Sequence, residues 1–157
     1  MNEVDRLHAM EEIRQAKARY VRGLDTGNPE LVRAMLADDC VLDFRRCWTD
    51  PATGNDLLPQ MNIVMRGAAS WSAEGFASLG VVSQHTSVHH LYASEITFAS
   101  DTTADVVWSM TARLFMPPGG QCTLLTGYGY YHEMYEKTSN EWKLKTMRVS
   151  SLRAEGV

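Results

Sequence analysis

The chain has 157 residues, 45% hydrophobic and 22% charged, in the range of one ordinary globular domain spanning 1–157 with a core of its own. A formal net charge of -4 and the lack of any Lys or Arg run argue against nucleic acid as the main partner. No apolar run approaches a membrane span, and the polar, acidic start MNEVDRLHAMEEIRQ does not read as a signal peptide. Cys40, Cys47 and Cys122 form no CxxC pair and are odd in number, which argues against a disulfide framework or a zinc site and for a reducing, cytoplasmic setting.

In chain order, Val4, Leu7, Met10, Ile13, Ala16, Tyr20 and Leu24 recur at steps of three and four, so residues 4–26 are expected to form a long amphipathic helix. Gly27 is a natural stop, and Asn28-Pro29 an N-cap and first position for a second helix to about Ala37. A strand is expected over Cys40 to Phe44, a loop over the turn-rich residues 46–60, and a short third helix over 68–79. From about Ser83 the pattern turns to strands. Val106, Trp108, Met110, Ala112 and Leu114 alternate along one of them, and Pro117 to Gly120 form a connection. Tyr128, Tyr130 and His132 share a face of the next strand, and a last strand runs from Asn140-Glu141 to about Leu152. Helices followed by long antiparallel strands give an α+β class, with a curved sheet wrapped around the first helix and a pocket between them.

Three residues stand out chemically. Tyr20 and Asp25 are five residues apart, a turn of about 500° along a helix, so both can reach one interior. Asp25 lies near the helix C-terminus, where a carboxylate gains nothing from the helix dipole, so orienting a histidine explains it better. His89 and His90 are neighbours on a strand and point to opposite faces, so one of them faces the helix. Phenol, carboxylate and imidazole together make an acid/base set that needs no metal or cofactor, and neither is expected here. His85, an even step from His89, is a candidate for the same face, and Trp108, Met110, Tyr128 and Tyr130 would line a site for a flat, apolar ring.

ARYVRGLDTGN, SVHHLYASEITFASDTTADVVWSM, TGYGYYHEMYEK and NEWKLKTMRVSSLR together resemble the SnoaL-like members of the nuclear transport factor 2-like superfamily. Within it the pattern is similar to the bile-acid 7α-dehydratase-like and scytalone dehydratase-like group. The resemblance implies a cone-shaped α+β fold and a cofactor-independent lyase or isomerase acting on a hydroxylated or keto ring compound such as a steroid or polyketide. It puts the catalytic roles on Tyr20, Asp25 and, of the His pair, His89. Two positions depart from the group. Its Asp four residues after the strand Trp falls on Ala112, and its last-strand Arg falls on Ser151; both become expected pocket positions. The ketosteroid isomerase pattern fits less well, since the position of its base falls on Phe44, one step past Asp43. Such folds pair through the outer sheet face, so a homodimer is expected. The same superfamily also includes binding scaffolds and the small subunits of ring dioxygenases, so a non-catalytic module for a small hydrophobic ligand is the alternative.

Overall fold

The structure, a computed structural model, describes residues 1–72, 86–119 and 122–157. Helix α1 spans Glu3–Asp25, and Asn2 begins it with a capping box: its side chain accepts from the Asp5 N–H at 2.9 Å while the Asp5 carboxylate accepts from the Asn2 N–H. Ala9, Ile13, Ala16, Lys17, Tyr20 and Gly23 form its buried face, whereas Val4 and Leu7 are exposed. Gly27, at φ 62°, ends it in the left-handed conformation that a side chain would strain. Asn28 then caps α2, Pro29–Arg33. The expected continuation of α2 to Ala37 does not occur. Residues 36 and 37 already belong to strand β1, Leu36–Asp43, which starts earlier than the sequence suggests because the Leu144 N–H donates to the Met35 carbonyl and draws the chain into the sheet.

Five further strands follow: β2 Val64–Arg66, β3 Thr86–Phe98, β4 Thr103–Phe115, β5 Leu124–Thr138 and β6 Glu141–Gly156. They form one curved, unclosed sheet in the order β2-β1-β6-β5-β4-β3, antiparallel except for the parallel pair β1 and β6. Strand β6 outruns the expected end at Leu152 because its last residues pair with Leu125 to Tyr128 of β5. Of the expected third helix, residues 68–70 form a single 3-10 turn, and 73–79 lie outside the described residues.

The sheet cups α1. Ala104, Val106, Trp108, Met110, Ala112 and Leu114 point inward from β4, as their alternation predicts, and meet Ile13, Ala16 and Tyr20 of the helix. This is the α+β cone expected from the sequence. Among the described residues no helix is long and apolar enough to cross a membrane.

Candidate active site

The cone holds a cavity of about 90 Å³. Its wall is apolar over most of its area, from Phe44, Trp48, Trp71, Met110, Leu114 and Val149 among others, and His89 interrupts it. Asp25, the last residue of α1, reaches across to β3. Its Oδ1 lies 2.6 Å from His89 Nδ1, its Oδ2 accepts from the His89 backbone N–H at 2.8 Å, and the Ser87 hydroxyl donates to Oδ1 at 2.9 Å. Burial alone would push the Asp25 carboxyl up, but the His89 ring and backbone donors and the Ser87 hydroxyl outweigh it and hold the carboxyl below its ordinary value. A carboxylate at Nδ1 fixes the proton there and leaves Nε2 with its lone pair, and Nε2 makes no hydrogen bond with a described residue. The strand register explains the choice of histidine: Ser87, His89 and Leu91 stand opposite Leu114, Ala112 and Met110 on the inner face, and His90 opposite Thr111 on the outer one.

The other residues singled out from the sequence are placed as follows. Met110 and Ala112 are on the cavity wall, and Ala112 pairs directly with His89, so a methyl stands beside the imidazole where the resembling group has a carboxylate. Tyr20 is fully buried behind the wall, edge-on to Trp71, and its hydroxyl is directed at Met147 Sδ at 3.9 Å. Trp108 points inward but deeper in the cone, donating from Nε1 to Glu133 at 2.8 Å. Tyr128 and Tyr130 are corrected to the outer face. Gly127, Gly129 and Tyr131 pair with Ala112, Met110 and Trp108, so the alternate residues point away, and Tyr128 bonds to Glu155. His132 shares that outer face and bonds to Ser150 at 2.8 Å. Ser151 borders a separate groove with Asp43, Arg45 and Arg148 rather than this cavity. His85 lies outside the described residues.

The sequence reading missed several neighbours. Tyr131, on the face of β5 opposite to the one chosen, lines the cavity. Cys47 lines it too, and burial pushes its thiol up to about 12, so it is a neutral sulfhydryl there. Behind Tyr131 lies a buried ion pair, Lys17 Nζ to Glu133 Oε1 at 2.5 Å. A Glu on the Tyr131 face of β5 was the available signal, since a buried carboxylate requires a cation or several donors nearby.

Trp48 reaches the wall from the turn-rich loop, which Asp50 braces by accepting from the Thr53 hydroxyl at 2.9 Å, and which closes through the Leu57 N–H onto the Trp48 carbonyl. The indole lies on Gly127, where a Cβ would stand 3.1 Å from its Cζ3. Gly127→Val is therefore expected to push the indole aside, at about 1–3 kcal/mol of overpacking. Thermal unfolding together with the tryptophan emission spectrum checks this, and an unchanged spectrum at unchanged stability would contradict it.

The comparisons with known proteins agree with this architecture. A family model described as a SnoaL-like domain matches residues 5–148. No curated protein sequence matches the chain. Among solved structures, a scytalone dehydratase-like protein from Novosphingobium aromaticivorans is 20% identical with a TM-score of 0.77, covering 99% of this chain and 92% of its own. A type 3 LinA hexachlorocyclohexane dehydrochlorinase from Novosphingobium barchaimii is 16% identical with a TM-score of 0.75, covering 99% and 94%. A protein described as an aromatic ring hydroxylase, also from Novosphingobium aromaticivorans, is 18% identical with a TM-score of 0.74, covering 96% and 94%. At these identities the likeness is one of fold, whereas the family model spans nearly the whole cone, from the first turns of α1 to the middle of β6, and on that match the chain belongs to the SnoaL-like family.

Proposed function

We propose that this protein is a cofactor-independent lyase or isomerase that removes a proton from a hydroxylated or keto ring compound. The observation that carries the reading is the Asp25–His89 pair, which sets His89 into a largely apolar wall. His89 Nε2 takes the proton from carbon, and Asp25 holds the imidazole tautomer and stabilises the imidazolium that forms. In an elimination the C–H electrons become the new double bond and the leaving group departs with its own pair. In an isomerisation they delocalise onto the carbonyl oxygen, and the imidazolium returns the proton to another carbon. Ala112 supplies no second carboxylate beside His89, which favours substrates whose proton is already acidic, such as one next to a carbonyl.

The test is a panel of single-ring keto and hydroxylated compounds, monitored for new conjugation by absorbance, with wild type and His89→Ala side by side. Equal rates for the two proteins on every active compound would remove His89 from the mechanism. Ala112 and the turned-away Tyr20 hydroxyl favour the second reading, a module that binds a ring compound without turnover; a ring compound that co-purifies with the protein and is never converted would support it.

The reading includes a homodimer. Tyr92, Phe115, Tyr128 and Leu152 are exposed apolar side chains of the strands, and Tyr92 and Tyr128 stand on the outer sheet face, which a second copy would cover. Light scattering at micromolar concentration is expected to give twice the 17.6 kDa of one chain, and a mass near 17.6 kDa would reject the dimer. The three free thiols support a reducing, cytoplasmic setting.

A further inference from the structure

We infer that Tyr131 is the hydrogen-bond donor that holds the substrate oxygen, facing the cavity that His89 serves as base; this rests on the reading of that cavity as a binding site. Among the described residues, Ser87 and Tyr131 are the two on the wall that carry a hydroxyl, and the Ser87 hydrogen is committed to Asp25. The Tyr131 hydroxyl makes no hydrogen bond with a described residue, although only 3% of the residue is exposed. The other two buried tyrosines have used theirs, Tyr20 on Met147 and Tyr135 on Glu133 at 2.8 Å. The Tyr131 proton is therefore uncommitted among the described residues, and a ligand oxygen in the cavity would accept it.

The rear of the ring is anchored. Lys17 Nζ sits 3.6 Å from the Tyr131 ring centroid and 4.4 Å from that of Tyr20. Glu133 holds the ammonium, and Trp108 and Tyr135 donate to the other Glu133 oxygen, both at 2.8 Å. The attraction between such a cation and the ring face fixes the plane of the ring, so the hydroxyl is preorganised. Burial first, and then Glu133, push the phenol up, which keeps its proton in place across the working pH range. His89 cannot share this role while neutral, because its Nδ1 proton belongs to Asp25 and Nε2 only accepts. During isomerisation the developing enolate oxygen would receive the Tyr131 hydrogen bond while the carbon-bound proton travels to Nε2 and back, and the tyrosine keeps its own proton throughout.

The test uses two probes of nearly equal shape, cyclohexanone and methylenecyclohexane, with the oxygen in the first replaced by CH₂ in the second. Binding is measured by NMR titration to wild type, Tyr131→Phe and His89→Ala, and the carbonyl stretch of bound cyclohexanone by difference infrared spectroscopy. Tyr131→Phe keeps the ring and its Lys17 contact, so it should bind methylenecyclohexane as the wild type does. It should lose roughly tenfold in affinity for cyclohexanone, the effect of one hydrogen bond. The lowered carbonyl stretch expected in wild type should be absent in Tyr131→Phe and kept in His89→Ala. Equal cyclohexanone affinities in wild type and Tyr131→Phe, no binding to either included, or a carbonyl stretch that is the same in both, would overturn the assignment. If instead His89→Ala matches wild type in turnover, the proposed reaction falls while the cyclohexanone comparison still decides the role of Tyr131.

Discussion

Replacing His89 with alanine is expected to lower turnover by about 10²–10⁴-fold on any compound the wild type converts, the usual contribution of a positioned general base. Asp25→Asn should approach the same loss. A carboxamide can turn its NH₂ toward Nδ1, which shifts the imidazole proton to Nε2 and removes the base, and it cannot stabilise an imidazolium. In wild type the rate should rise with pH through an apparent value that belongs to the pair. A stability effect follows from the same contact. The folded Asp25 carboxyl lies below its unfolded value of about 3.9, so its contribution is present above that pH and is lost as pH falls through the lowered folded value. Thermal unfolding from pH 7 down to about 2 should show an acid-side loss that is smaller in Asp25→Asn. Wild-type rates and an unchanged pH profile in Asp25→Asn would mean that the 2.6 Å contact is structural only.

The sequence carried the cone well because its main signals are periodic. The alternation of Val106 through Leu114 survives in the structure because both sides of β4 are paired, so every second residue must face the helix. Asp25 and His89 were legible as well, though alternation alone left His89 and His90 equivalent, and the register with Ala112 separates them. The face of β5 was not legible. Tyr128, Tyr130, His132 and Met134 look at least as apolar as Gly127, Gly129, Tyr131 and Glu133, and the decision comes from the pairing of Trp108 with Tyr131 and from a cation on another element. Lys17 was invisible for a related reason. Apolar periodicity passes over a lysine between Ala16 and Tyr20, yet this one is fully buried because a carboxylate 116 residues away meets it. Helical rotation correctly turned Tyr20 toward the interior but not onto the cavity wall, since Asp25 sits at the helix end beside β3 while Tyr20 lies deeper, over Met147.

Lys17→Met is expected to destabilise the protein by about 3–5 kcal/mol, the cost of leaving one member of a buried ion pair alone. Desolvation lowers the Lys17 pKa and Glu133 opposes it through its charge and hydrogen bond, so the ammonium depends on that carboxylate. The dependence runs both ways. With Lys17 gone, Glu133 keeps its donors from Trp108 and Tyr135 but has no cation, and its charge remains inside a shell of Tyr20, Tyr131 and Val106. Methionine fills nearly the same volume and retains contact with both rings, so the loss isolates the charge rather than the packing. Adding Glu133→Gln should restore a large part of the stability, because the amide oxygen can still accept from Trp108 and Tyr135 while no net charge is left buried. A double-mutant cycle in urea gives the coupling, expected to be well above the roughly 0.3–0.5 kcal/mol within which independent sites add. If Lys17→Met alone cost less than about 1 kcal/mol, the pair would have to be neutral in the folded protein, with the proton on the carboxyl, and the cation anchoring the Tyr131 ring would be lost from the site.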